Sequence, residues 1–178
     1  MQLAESVKQL IIHEYNEFKA FMYANSPKDT RDQLGQFFTP AEITIKMLEC
    51  YSLVNSIMLD PTSGSGNLLA ACLIAGVPAS NLRGNEFDAR MVKACRDRLK
   101  TLPDRIMAVD KEKALELAKS LESFNDWQIH RGDATDSFCL TYFGPDYKQK
   151  LEEHFLEGQH SLFPMLTKDQ EEFLKEVD

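Results

Sequence analysis

The sequence has no apolar run approaching the roughly 20 residues needed to cross a bilayer, so no membrane-spanning helix and no membrane association are expected. Its first residues, Met1-Gln2-Leu3-Ala4-Glu5, lack a basic stretch followed by an apolar one, so no secretory leader is expected and the expected compartment is the cytoplasm. No two of the four cysteines (Cys50, Cys72, Cys95, Cys139) stand at CxxC spacing, and each sits in an apolar pattern. Buried free thiols are expected, as suits a reducing compartment. The four histidines (His13, His130, His154, His160) form no HExxH-type spacing, so no metal site is expected, and His154 and His160 read as solvated. Positive charge is also short. Twenty basic against 28 acidic residues leave a net charge of −8, which argues against a chain that grips DNA electrostatically by itself. The basic residues that exist are concentrated between Arg83 and Arg105, where seven face four acids. Any nucleic-acid surface belongs there, although a solvated helix face explains the same charges.

At 178 residues the chain is one domain's worth, long enough to bury a real core. Leu3, Val7, Leu10, Ile11, Phe18 and Phe21 recur at helical spacing, predicting an amphipathic helix from Leu3 to Tyr23. A polar loop with Ser26-Pro27 and Gly35 follows. Thr39-Pro40-Ala41-Glu42 reads as a capping box, with threonine at the N-cap and proline in the first helical position, and predicts a helix through Ile43, Met47, Leu48 and Tyr51. A short strand ending at Asp60 runs into a Pro/Ser/Gly turn and then a helix from Asn67, stopped by Gly76 and Pro78. A second strand is expected at Asn81 to Glu86. Next come a helix through Met91, Cys95, Leu99 and Leu102, with Arg90, Lys93 and Lys100 on its other face, and another over Lys111 to Leu121. Third and fourth strands are expected at Trp127 to His130 and at Phe138 to Phe143. Strands alternating with helices imply a parallel α/β sheet covered on both faces, with ligands collecting at the carboxyl ends of its strands.

The strand–Asp60-Pro61-Thr62-Ser63-Gly64-Ser65-Gly66–helix unit carries the chemistry. Glycines in such a turn let backbone approach a ligand closely. A Walker loop needs lysine where Asn67 stands, and a dinucleotide fingerprint needs glycine where Leu69 stands. What remains is a Gly-x-Gly turn opened by a carboxylate. That acid suits a ligand with an ammonium group, such as the methionine part of S-adenosylmethionine, and repels a pyrophosphate. Glu86 lies 20 residues after Gly66, the usual spacing for an acid that accepts from ribose hydroxyls. The plain alternative is an Asp-Pro turn with an unrelated surface glutamate.

Three stretches, Gly35-Gln36-Phe37-Phe38-Thr39-Pro40, Asp60 to Leu69, and Gly84-Asn85-Glu86-Phe87-Asp88, resemble the N6-adenine DNA methyltransferases, above all the modification subunits of type I restriction-modification systems. The likeness covers Gly35 to Thr135. It implies a Rossmann-like, S-adenosylmethionine-dependent methyltransferase fold over residues 35–147, with an N-terminal helical segment (1–34) and an acidic helical tail (148–178). By the same resemblance Phe38, Thr39 and Pro40 lie at the methionine end of the cofactor, where a helix amino terminus also attracts its carboxylate. Asp60, Thr62, Ser63, Gly64, Gly66 and Asn67 hold the amino-acid part. Glu86 and Phe87 hold the ribose side, and Asp133 and Ala134 the adenine.

The family's catalytic Asn-Pro-Pro-Tyr/Phe (or Asp-Pro-Pro-Tyr) tetrapeptide is missing. Its side-chain oxygen and a backbone carbonyl accept the hydrogens of the adenine amino group, while its aromatic ring stacks on the flipped base. Gly144-Pro145-Asp146-Tyr147 stands at the expected place, with Pro145 and Tyr147 aligned, no acceptor at Gly144, and Asp146 in place of the second proline. The sheet is also expected to be truncated, since Lys148 to Asp178 is rich in Glu and Lys. The reading leans to a compact or split enzyme that methylates adenine in DNA, its missing strands supplied by a protein partner or by self-association. A catalytically inactive methyltransferase-like binding or regulatory protein, and a methyltransferase for a small substrate, stand beside it.

Overall fold

The structure, a computed structural model, describes residues 2–25, 39–50, 53, 56–132 and 134. All belong to the first of two compact units, Met1–Gly144; the second, Pro145–Asp178, lies outside the described residues, as does the expected strand at Phe138 to Phe143. The described elements are helix α1 (Glu5–Asn25), α2 (Ala41–Glu49), β1 (Met58–Asp60), α3 (Asn67–Ile74), β2 (Leu82–Glu86), α4 (Ala89–Lys100), α5 (Leu102–Ile106), α6 (Lys111–Leu121) and β3 (Ile129–Arg131). The three strands form a parallel sheet in the order β1-β2-β3, so the chain is α/β. Asp60 pairs with Gly84, and two residues further on Glu86 pairs with Arg131, which brings the carboxyl ends of the strands together.

Helix α3 is the centre of the packing. Six of its eight residues are buried, and it touches β1, β2, α1, α2, α4 and α6. A helix apolar all round has no solvent face to spare, which fits its Asn-Leu-Leu-Ala-Ala-Cys-Leu-Ile sequence. Gly76 ends it at φ 98°, a left-handed conformation open to glycine. Leu3, Leu10 and Ile11 of the N-terminal segment join the same core as Leu69, Leu73, Leu99, Leu102 and Ile106.

Several expectations are corrected. Thr39 does not cap α2: the helix begins at Ala41, Pro40 occupies the N-cap with extended backbone (ψ 146°), and no side chain caps it. The capping carbonyl is that of Pro40, which accepts from the Ile43 and Thr44 amides at 3.1 and 3.0 Å. Phe21 is 60% exposed, off the buried stripe that Phe18 and Met22 continue. The expected single helix through Leu102 is two, because Thr101 leaves helical geometry and Pro103 opens α5. Trp127 and Gln128 belong to a 3₁₀ turn, Asp126–Gln128, and β3 starts only at Ile129. The cause is Gln128, 1% exposed, whose Nε2 donates to the carbonyls of Ala79 and Leu82 (2.7 and 2.8 Å) while its Oε1 accepts from the Asn125 amide. Cys72 and Cys95 are buried free thiols, as expected, but Cys50 is exposed. Burial pushes the Cys72 and Cys95 thiols up to about 12, so neither is a thiolate at neutral pH.

Candidate ligand-binding site

The turn after β1 is built from its backbone outward. Gly64 and Gly66 take positive φ (51° and 83°), a region costly to residues with a Cβ. At Gly66 a Cβ would also stand 2.7 Å from the Cys95 Sγ on α4, so the turn needs glycine there twice over. Gly84, the residue that weakens β2 as a sequence pattern, is required for a different reason. A Cβ there would meet Leu69 Cδ1 at 2.9 Å and Ile129 Cδ1 at 3.0 Å, so its bare backbone lets α3 and β3 close on the sheet.

Neighbouring strand ends fasten this turn. The Gly64 amide donates to Glu86 Oε2 at 2.9 Å, and Glu86 Oε1 accepts from the Asp88 amide at 2.8 Å. Asp60 Oδ1 accepts from the Thr62 amide at 3.2 Å. The Ser63 amide and hydroxyl both donate to the Asn85 carbonyl (2.8 and 3.1 Å). Asn85 itself, 1% exposed, sends its Nδ2 to the carbonyls of Pro61 (3.3 Å) and Gly132 (2.9 Å). The Gly132 amide returns to the Glu86 carbonyl at 3.1 Å. One buried amide side chain on β2 therefore ties together the turns after β1 and β3.

Asp60 and Glu86 thus flank one glycine turn. Burial pushes the Asp60 carboxyl above the ordinary aspartate range, the Thr62 amide opposes this, and the nearby Glu86 charge adds to it. A desolvated carboxylate beside a second one is a place where a ligand cation is welcome. Glu86, although already bonded to two amides, keeps a further lone pair on each oxygen for hydroxyl donors. Phe87, 74% exposed, offers an apolar face beside it. Asp88 caps α4 by accepting from the Arg90 amide at 2.9 Å.

Of the residues singled out in the sequence, the structure brings Asp60, Thr62, Ser63, Gly64, Gly66 and Glu86 into one cluster. Thr39 joins through its carbonyl, which accepts from Asn67 Nδ2 at 3.4 Å at the start of α3. Pro40 is exposed at the head of α2, and Ala134 lies just beyond the Gly132 turn. Phe38, Asp133, Pro145, Asp146 and Tyr147 lie outside the described residues. Among the described residues no three His, Cys, Asp or Glu side chains converge as a metal site would require, and no helix is long and apolar enough to cross a membrane.

Sequence reasoning missed Asn85, and it missed the pair Glu14 and Arg98, which are 2% and 1% exposed. A signal for the pair exists. Glu14 falls in the Val7–Leu10–Phe18 stripe and Arg98 in the Met91–Cys95–Leu102 stripe, so each is a charge at an apolar position, and the two signs are opposite.

Set against protein-family models, curated proteins and solved structures, the chain matches none.

Proposed function

We propose that this chain binds S-adenosylmethionine across the Asp60–Gly66 turn, in a Rossmann-like fold with a truncated sheet, as the cofactor-holding half of an adenine-N6 DNA methyltransferase. The observation that carries the reading is the Gly64–Glu86 hydrogen bond, which sets two carboxylates on either side of a left-handed glycine turn at the carboxyl ends of parallel strands. The donor set fits the cofactor. Asp60 faces the ammonium group, Glu86 and Phe87 the ribose side, and the amino end of α2 behind Thr39 and Pro40 the carboxylate. Asp133 and Ala134 complete the adenine side. When bound, the cofactor would supply an electrophilic methyl group; the chain's own residues bind it and orient it.

Pro145, Asp146 and Tyr147 are assigned to the acceptor side, Tyr147 stacking on a flipped adenine and Asp146 accepting an amino hydrogen. Gly144 supplies no such acceptor, and this favours a second reading in which the chain holds the cofactor without turning it over unless a partner chain completes the site. Titration calorimetry with S-adenosylmethionine tests the binding, and no heat at millimolar ligand sinks it. Transfer of a labelled methyl group to adenine-containing DNA separates the two readings, since turnover by the isolated chain removes the second.

A further inference from the structure

We infer that the buried Glu14–Arg98 ion pair is a positioning device for the glycine turn, which makes helix α1 part of the ligand-binding machinery as well as a cover on the core. As a statement about binding, this rests on the proposed function of that turn.

Arg98 projects from α4 with its guanidinium held on every side. Its Nε and Nη2 donate to Glu14 Oε1 and Oε2 at 2.9 and 2.6 Å, a two-point grip that fixes the plane of the fork. The Phe18 ring lies 4.0 Å from its Cζ and keeps the plane from tilting. Arg105 braces the same carboxylate, its Nε 3.3 Å from Glu14 Oε1 and its Nη2 donating to the Arg98 carbonyl at 2.6 Å.

With two nitrogens committed, the third is aimed at the turn. Nη1 donates to the Ser65 carbonyl at 3.4 Å and to Asn67 Oδ1. These acceptors bracket Gly66, the residue held at φ 83°. Asn67 passes the restraint on, because its Nδ2 donates to the Thr39 carbonyl. The chain of contacts Glu14–Arg98–Asn67–Thr39 therefore joins α1, α4, the head of α3 and the segment before α2, and orders two walls of the proposed site. Stability alone does not account for it. Apolar side chains of similar volume serve a core as well as a buried ion pair or better, whereas the fixed fork adds a directed hold on the left-handed turn from behind.

The test uses the full chain with Glu14→Leu and Arg98→Met together, which replaces the pair by apolar volume. The variant is expected to fold, with its melting temperature lowered only by the lost contact between Arg105 and Glu14. Its affinity for S-adenosylmethionine is expected to fall about tenfold, the equivalent of one charge-assisted hydrogen bond. Amide hydrogen exchange at Gly66 and Asn67, measured without ligand, is expected to quicken by about the same factor. A folded double variant with unaltered affinity and unaltered exchange overturns the inference. Should the double variant fail to fold, Arg98→Lys decides: it keeps the charge next to Glu14 but cannot span Glu14 and Asn67 together, so unchanged affinity and exchange there overturn it equally. If the unaltered protein binds no S-adenosylmethionine, the proposed function fails by itself. The exchange measurement then still decides whether Arg98 holds the turn.

Discussion

Two regions of this molecule are buried to the same degree by opposite means. Around the C-terminal end of α4, Leu99, Leu102, Ile106, Ala114 and Leu117 are all 2% exposed or less and carry no polar side-chain atoms. At the carboxyl ends of the strands the buried polar side chains include Ser63, Asn85 and Arg98, and the cohesion comes from directed hydrogen bonds. Apolar burial contributes free energy without direction, whereas a hydrogen bond is worth little net but is costly to leave unmade. The first region therefore sets whether the chain folds, and the second sets where its turns lie. Substitutions in the first should lower stability and spare ligand affinity, and those in the second should do more to affinity than to stability.

Leu99→Ala is the severest trial of the first half of that statement. Leu99 is fully buried, and its truncation is expected to cost about 2–5 kcal/mol in urea unfolding, according to how far the site collapses. The fraction that remains folded should bind S-adenosylmethionine as tightly as the unaltered protein. A matching loss of affinity would mean that the apolar end also shapes the turn.

Gly66→Ala strikes where the regions meet. The left-handed backbone costs an alanine about 1–2 kcal/mol, and its Cβ must displace the Cys95 Sγ that packs under the turn. A stability loss of about 2–3 kcal/mol is expected, together with loss of detectable ligand binding. Gly64→Ala is the control, for its φ is also positive but its Cβ would meet nothing within 4 Å, so it should lose only the backbone part.

Asn85→Ala isolates the polar end. It leaves the carbonyls of Pro61 and Gly132 without their side-chain donor, at about 1–3 kcal/mol. Thermal unfolding should record that modest loss, while the affinity for S-adenosylmethionine should fall more steeply because the turns after β1 and β3 lose their common fastening. Equal losses in both would erase the distinction drawn between the two regions.

The apolar region is legible in the sequence and the polar one largely is not. Periodicity locates α1 and α4 and most of the residues that bury them, because a helix repeats its buried face every three or four residues, while α3 is marked by the glycine turn before it and Gly76 and Pro78 after it. The strands are short enough that turn chemistry matters more than pattern. β2 is a weak pattern because of Arg83 and Gly84, yet it forms one residue inside the expected start, whereas the pattern starts β3 too early because Gln128, a polar residue in a strand-like run, is buried and hydrogen-bonded in the preceding turn. The Asp60–Gly66 turn and Glu86 are visible as types at a spacing. What holds them is not, since Asn85 reaches Gly132 across 47 residues of sequence and Arg98 reaches Glu14 across 84. No local pattern specifies a partner that distant, although a charge standing in an apolar stripe shows that one must exist. Thr39 teaches the converse. Its capping-box signature is clear, yet Pro40 takes the N-cap, and the Thr39 carbonyl serves the head of α3 instead.

The gentlest change, Asp60→Asn, separates the regions by pH. Burial raises the Asp60 carboxyl above its ordinary 3.8, so the folded chain holds this proton more tightly than the unfolded one. The sign follows: Asp60 costs the fold nothing at low pH, and its contribution turns unfavourable as pH rises from 3.8 through the raised value. The substituted amide stays neutral at every pH and can still accept from the Thr62 amide. The variant should therefore match the parent in acid and equal or slightly exceed it in melting temperature at neutral pH. Ligand affinity should move the other way. In the parent it is expected to fall as pH drops through the raised value, because protonation removes the charge facing the ammonium group, while in the variant it should be weak and flat over the same window. Calorimetric titrations across that range decide the matter, and an affinity in the parent that ignores pH would remove Asp60 from the ammonium position and leave it as a turn residue.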